Sequence, residues 1–148
     1  MSGLGFGSGT TSLTASTGTC PCGGMPPGSS LADCCGPVVA GDRAADTAEA
    51  LMRSRYSAYV LGSGDHLFRT WHPRTRTDDA DPDDRVRWEG LEVLDVVAGG
   101  ADDTEGVVEF RARWVSRDDG PVRRGELHER SLFTRRAGRW VYVEAEPG

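Results

Sequence analysis

The chain has no lysine: all 17 of its basic side chains are arginine, which excludes Schiff-base chemistry through a lysine amine. It has no run of 18 apolar residues, so the sequence offers no membrane-spanning helix. Its opening, "MSGLGFGSGTTSLTASTGT", lacks the basic start and apolar centre of a secretory signal, and the expected location is the cytoplasm. No glycine-rich loop leads from a strand into a helix, which leaves a phosphate cradle without support. Positive charge is in short supply as well. A net charge of -6 gives no general grip on nucleic acid or an anionic membrane, so proteins and small molecules are the expected partners.

Hydrophobic residues make up 37% of the 148 positions and charged residues 27%, enough for one globule with a core plus an appendage. Residues 1–19 are rich in Gly, Ser and Thr and read as a flexible tail. Residues 20–41 are rich in proline and glycine without periodic apolar positions, so something other than a core must hold them. Residues 42–148 form the main domain.

A helix signal starts at Asp46, with Glu49 three residues on as in a capping box and Ala48, Leu51, Met52, Arg55, Tyr56, Tyr59 and Val60 at helical spacing. Gly62 ends it. "DHLFRTW" predicts a short second helix presenting Leu67, Phe68 and Trp71 on one face, stopped by Pro73. "RTRTDDADPDD" reads as an exposed loop. From Trp88 the pattern becomes four strands, "WEGLEVLDVV", "GVVEFRARWVSR", "RRGELHERSLFTR" and "RWVYVEAE". In the second, Val108, Phe110, Ala112 and Trp114 alternate with Glu109, Arg111 and Arg113, so one face is wet. The predicted class is α+β, with helices packed on a curved antiparallel sheet of about four strands.

All four cysteines, Cys20, Cys22, Cys34 and Cys35, fall in "CPCGGMPPGSSLADCC". Zinc takes four thiolates in a closed tetrahedron, and binding it would order a segment that has no core. Glycines and prolines between the pairs let the backbone turn back. The spacing departs from paired Cys-x-x-Cys knuckles, so free thiols, a disulfide between the pairs and an iron-sulfur cluster stay open as alternatives. His66 and His72 could replace a cysteine only by reaching across from the helical region.

"CPCGG" with "LADCCGP" resembles the SEC-C motif, a zinc-binding module also found at the end of the SecA translocation ATPase. "ADTAEALMRSRYSAYVLG", "HLFRTWHP", "GLEVLDV", "VEFRARW", "LHERSLF" and "GRWVYVE" extend the likeness, and residues 20 to 145 together resemble the YchJ-like family of bacterial proteins. The resemblance implies a structural zinc ion on Cys20, Cys22, Cys34 and Cys35, followed by a cone of the nuclear transport factor 2 type. It also implies a protein partner touching the knuckle, a small ligand in the cone and, on fold analogy, a homodimer through the open sheet face. The chain departs from the motif at Gly24, where a serine is expected, at Leu31, where an aromatic is expected, and in a longer middle.

An active site inside the cone would need inward-facing acid-base groups. The third strand's alternation sends Leu127, Glu129, Ser131 and Phe133 toward the helices, leaving His128 on the solvent face. A buried Glu129 must either pair with an arginine such as Arg53 or Arg55 or take a raised pKa. His72, at a helix end, is the second catalytic candidate, and capping of carbonyls is the structural reading of it. Tyr56, Tyr59, Trp71, Trp88, Trp114 and Trp140 read as core aromatics that could line a pocket. The arginine pairs Arg123, Arg124 and Arg135, Arg136 read as solvated loop charges. Two functions follow as expectations: a non-catalytic zinc-binding adaptor or binding module, or a small hydrolase or isomerase using Glu129 and His72.

Overall fold

The computed structural model describes residues 18–117 and 119–147. Most of the predicted tail, residues 1–19, lies outside the described residues. The elements run α1 (Gly36–Ala40), α2 (Ala48–Leu61), α3 (Gly64–Arg69), β1 (Val86–Ala98), β2 (Glu105–Ser116), β3 (Arg123–Arg136) and β4 (Arg139–Ala145). The four strands form one antiparallel meander in sequence order, and the helices cover one of its faces.

The central helix begins one residue later than its capping signal suggests. Thr47, not Asp46, is the N-cap, and its hydroxyl accepts the Ala50 N–H at 3.0 Å. Glu49 is then out of capping position and pairs with Arg53 one turn on, at 2.9 Å. The Asp46 carbonyl serves elsewhere, accepting the indole N–H of Trp140 at 3.1 Å. At the other end Gly62 sits at φ 76°, left-handed, and donates to the Ala58 carbonyl. Helix α2 buries Leu51, Met52 and Tyr56 toward the sheet, and also Ser54, Arg55 and Ser57, because other chain segments cover its remaining sides.

Helix α3 packs with a different face from the predicted one. Leu67 is inside, but Phe68 stays 42% exposed under the Arg76 guanidinium, and His66 takes the interior place. His66 is tolerated there because Nε2 lies 2.9 Å from the Ser54 hydroxyl. That hydroxyl already donates to the Leu51 carbonyl at 2.7 Å, so the hydrogen between them belongs to His66. His66 is therefore the Nε2–H tautomer, and its buried Nδ1 has no partner among the described residues.

The register of the sheet sorts its faces. Leu91, Ala112 and Leu127 align across β1, β2 and β3, as do Val93, Phe110 and Glu129, while Val108 faces Ser131. Of these, Leu91, Val93, Val108, Phe110 and Ala112 meet α2 in a core that includes Phe133 and Trp140. Of the second strand's predicted apolar face, Val108 and Ala112 are fully buried and Phe110 and Trp114 half-buried; Trp114 lies over Gly125. The opposite face carries charge. Arg130 bonds Asp95, Glu109 and Glu146 at 2.9–3.2 Å, and Arg111 pairs with Glu92 and Glu126. His128 is on this face with Glu109 at 2.6 Å, away from the helices.

Two connections fix the ends. Thr70 and His72 exchange backbone hydrogen bonds with Tyr142 at 2.8 Å, laying the chain after α3 along the outer edge of β4. Arg135 is not a solvated loop charge: its guanidinium donates to the Ala101, Asp103 and Gly138 carbonyls and lies over the Trp140 ring, clasping the β1–β2 turn to the β3–β4 turn.

Burial, with Arg69 and Arg55 nearby, lowers the His66 pKa to about 4. The unfolded chain takes up a proton near pH 6.5 that the folded chain refuses until about 4, so this stability is complete above 6.5 and is lost as pH falls between them. Urea unfolding at about pH 7.5 and about pH 4.5 should give wild type an extra loss of about 3 kcal/mol relative to His66→Leu. Parallel pH dependence in the two proteins would contradict the assignment.

Candidate metal centre and aromatic cavity

The segment bearing the cysteines is shaped by its own backbone. Thr19 and Ser30 bridge, Cys20 N–H bonds Ser29 O at 2.8 Å, and Gly28 N–H bonds Gly23 O at 2.9 Å, closing a loop that brings Cys20 and Cys22 toward the start of α1. Cys35 is the residue preceding that helix, and Pro37 sits in its first turn. Gly24 has φ 89°, and a Cβ there would collide with the backbone nitrogens of Gly28 and Ser29. This turn excludes the serine of the resembled motif.

The ligand atoms of Cys20, Cys22, Cys34 and Cys35 all lie within 4.8 Å of one another. The Cys22–Cys34 and Cys34–Cys35 sulfurs are 3.6 and 3.8 Å apart. No disulfide joins these thiols, and the spacings are those of a metal tetrahedron, whose edge is about 3.8 Å for sulfurs about 2.3 Å from the ion. The donor set fits a thiophilic metal ion with all four positions filled by protein. Neither His66 nor His72 belongs to the cluster.

The cluster is bound into the domain. Cys20, Cys22 and Cys35 are at most 3% exposed and share the core with Leu51, Met52 and Tyr56, while Cys34 is half-buried. Fully buried Ser57 of α2 places its hydroxyl 3.6 Å from Cys20 Sγ, and the Gly24 N–H donates to Cys22 Sγ at 3.3 Å. Arg53, one turn before Ser57, donates to the Cys22 carbonyl at 2.8 Å. Burial opposes its charge, but Glu49 and Cys22 outweigh burial and hold its pKa above the ordinary value. Among the thiols, hydrogen bonds from Cys22 and Cys35 pull Cys20 down, the bond to Cys20 drives Cys35 up, and burial pushes Cys34 up to about 11.

On the other side of α2 a cavity of about 150 Å³ opens between helix and sheet, walled by Met52, Tyr56, Tyr59, Trp71, Trp88, Phe110, Ala112, Leu127, Phe133 and Tyr142. Its polar lining is Arg55, Glu129 and Ser131. Glu129 pairs with neither predicted arginine. One carboxylate oxygen, Oε2, accepts the Tyr142 hydroxyl at 2.9 Å and the Ser131 hydroxyl at 2.7 Å. Arg53 belongs to the metal side. Arg55 donates Nη1 to Leu67 O at 2.9 Å and Thr70 Oγ1 at 2.8 Å, with its guanidinium over the Trp71 and Tyr142 rings. Burial raises the Tyr142 pKa, Glu129 adding to it, and lowers that of Arg55.

The structure does not bring His72 to Glu129. His72 lies outside the cavity lining, and its Nδ1 accepts the Arg74 N–H at 3.1 Å, so the imidazole caps an amide in a turn and not a carbonyl. Sequence reading also missed Ser57 and Arg53 as supports of the thiol cluster. No local signal marked them, since a serine in a helix interior can bond its own backbone, as Ser54 does at Leu51.

This combination, a bent antiparallel sheet closed by helices and preceded by a cysteine knuckle, places the chain among SEC-C-bearing proteins with a cone-shaped domain. The family profile "YchJ, middle NTF2-like domain" matches residues 47–145. A UPF0225 protein of Streptomyces coelicolor is 50% identical over 130 residues, covering 88% of this chain and 96% of its own length. Another, from Chromobacterium violaceum, is 50% identical over 128 residues, covering 84% and 89%. The solution structure of a SEC-C motif containing protein from Rhodopseudomonas palustris superposes with TM-score 0.71 at 37% identity, covering 88% of this chain and 98% of that one. A crystal structure of a SEC-C motif containing protein from Psychrobacter arcticus gives 0.65 at 26% identity, covering 91% and 86%. The chain belongs to the YchJ-like family of bacterial proteins.

Ser57→Ala deletes the hydroxyl beside Cys20 with little loss of volume. Competition between a chelator and cobalt(II), followed by thiolate absorption, should show affinity falling about 10-fold. Unchanged affinity would mean that the serine only fills space.

Proposed function

We propose that the protein is a zinc-binding protein of the cytoplasm and a non-catalytic binding module. Its metal staples the N-terminal segment to α2, and its cone receives a ligand. The observation that carries this reading is the cluster of four sulfurs at tetrahedral spacing, packed on the helix that also walls the cavity. Cys20, Cys22, Cys34 and Cys35 would hold the ion, and a closed thiolate shell supplies structure and no open position for water. Zinc is favoured over other thiophilic ions by the likeness to proteins described as containing a SEC-C motif. Four closely set thiols without a disulfide suit a reducing compartment, and among the described residues no helix is long and apolar enough to cross a membrane.

A partner touching the knuckle would meet its outer turn, where Met25 is 39% exposed, because the sulfurs themselves are largely covered. The hydrolase or isomerase reading has less support. Glu129 borders the cavity, but the proposed acid, His72, is elsewhere, and the Ser131 and Tyr142 hydroxyls beside Glu129 already donate to it.

Elemental analysis of purified protein should give one zinc per chain. Chelation, or Cys35→Ser, should lower Tm by about 10 °C or more, the effect of losing a few kcal/mol in a chain of this size. Metal-free protein with an unchanged Tm would overturn the proposal.

A further inference from the structure

The cavity contains charges that the fold leaves unspent. Arg55 is only 7% exposed, yet among the described residues no carboxylate lies within 4.0 Å of its guanidinium, and its bonds through Nη1 go to neutral oxygens. Its Nε and Nη2 take no hydrogen bond among the described residues. Glu129 Oε2 accepts two hydrogen bonds, whereas Oε1 accepts none among the described residues. Both residues line the cavity. The Trp71 ring lies under the Arg55 guanidinium, and its indole N–H, buried and without a partner among the described residues, does not face the opening. Glu129 acts on this buried cation from across the cavity without an ion pair, and the free Arg55 N–H groups are a geometric invitation to an anion in contact.

The opposite requirement comes from Glu129 and the free aromatic rings. Tyr56 and Tyr59 stand 6.4 and 6.1 Å from the Trp88 ring centre, while Arg55 already occupies the faces of Trp71 and Tyr142. An alkylated ammonium group is attracted by such rings and by a carboxylate. A ligand of one sign would be repelled by either Arg55 or Glu129; one bearing both signs is opposed by neither. The volume, about 150 Å³, is that of a benzene-sized guest and excludes nucleotides.

We propose that the cone binds a small zwitterion of the betaine or cyclic amino-acid type, its carboxylate on Arg55 and its ammonium group toward Glu129 and the Tyr56, Tyr59 and Trp88 rings. This rests on the reading of the cone as a binding domain and is independent of the metal.

The test uses metal-replete full-length protein, with zinc content measured in the same sample. Glycine betaine and L-proline are titrated up to about 10 mM by calorimetry and tryptophan fluorescence, with choline and benzoate as single-charge controls. Saturable binding of at least one zwitterion, tighter than both controls, is expected. Glu129→Gln and Arg55→Met should each weaken it about 10-fold or more. Leu127→Trp, a substitution at a cavity-lining position that is 39% exposed, should abolish it by plugging the cavity. If Arg55→Met does not fold, Glu129→Gln and Leu127→Trp decide the matter. No binding by either zwitterion overturns the proposal. Choline or benzoate binding at least as tightly as both zwitterions also overturns it, as does binding untouched by Leu127→Trp. Absent zinc in the same sample would instead count against the proposed function.

Discussion

The packing of one helix against three different neighbours is the constraint on which the structure depends. Helix α2 meets the sulfur cluster through Ser57 and Arg53, α3 through Ser54 and Arg55, and the sheet through Leu51, Met52 and Tyr56. A helix with one wet face could slide or tilt and keep most of its burial. This one has polar side chains committed to specific partners on two sides, so its position and rotation are fixed together. The knuckle, which has little apolar surface of its own, becomes part of the main core by contact with that helix. The cavity exists because the same helix stands off the sheet where Glu129 and Ser131 line the gap.

The two functional regions therefore share a wall. Arg53 and Ser57 face the sulfurs, while Arg55, Tyr56 and Tyr59 line the cavity, all within two turns of α2. Alternate arginines on one helix have opposite duties. Arg53 has a carboxylate and the sulfur loop to stabilise its charge, whereas Arg55 sits among neutral oxygens and rings and has its pKa lowered by burial. Sequence spacing separates them by about 200° around the helix axis, about 100° per residue, and that rotation is enough to assign them to different environments.

Much of the fold was legible because its signals are local. The strands of the meander follow the alternation in residues 88–145, and Gly62 ends α2 where its left-handed geometry requires. The inward phase of Glu129 and Ser131 followed from period two alone. What was not legible depended on partners distant in sequence. His66 replaces Phe68 in the interior because Ser54, twelve residues earlier, offers its oxygen. Glu129 escapes an arginine because Tyr142 and Ser131 both donate to it. Arg135 looked like a solvated charge because two of its carbonyl acceptors, Ala101 and Asp103, lie in a turn more than 30 residues away. The four cysteines were recognisable as a group from their crowding, but their attachment to Ser57 was not.

The short run from Thr70 to His72 occupies the rim of β4, so that strand offers neighbouring molecules little free backbone. The other rim, β1, is irregular: its register shifts at Trp88/Gly90 and Val93/Asp95, and it carries Glu89, Glu92 and Asp95. A kinked, acidic border is a poor template for strand addition. The molecule is thus guarded against fibril-like stacking on one side by its own chain and on the other by distortion and repulsion. Damage that peels away the residues after α3 would uncover the β4 rim and remove half of that protection.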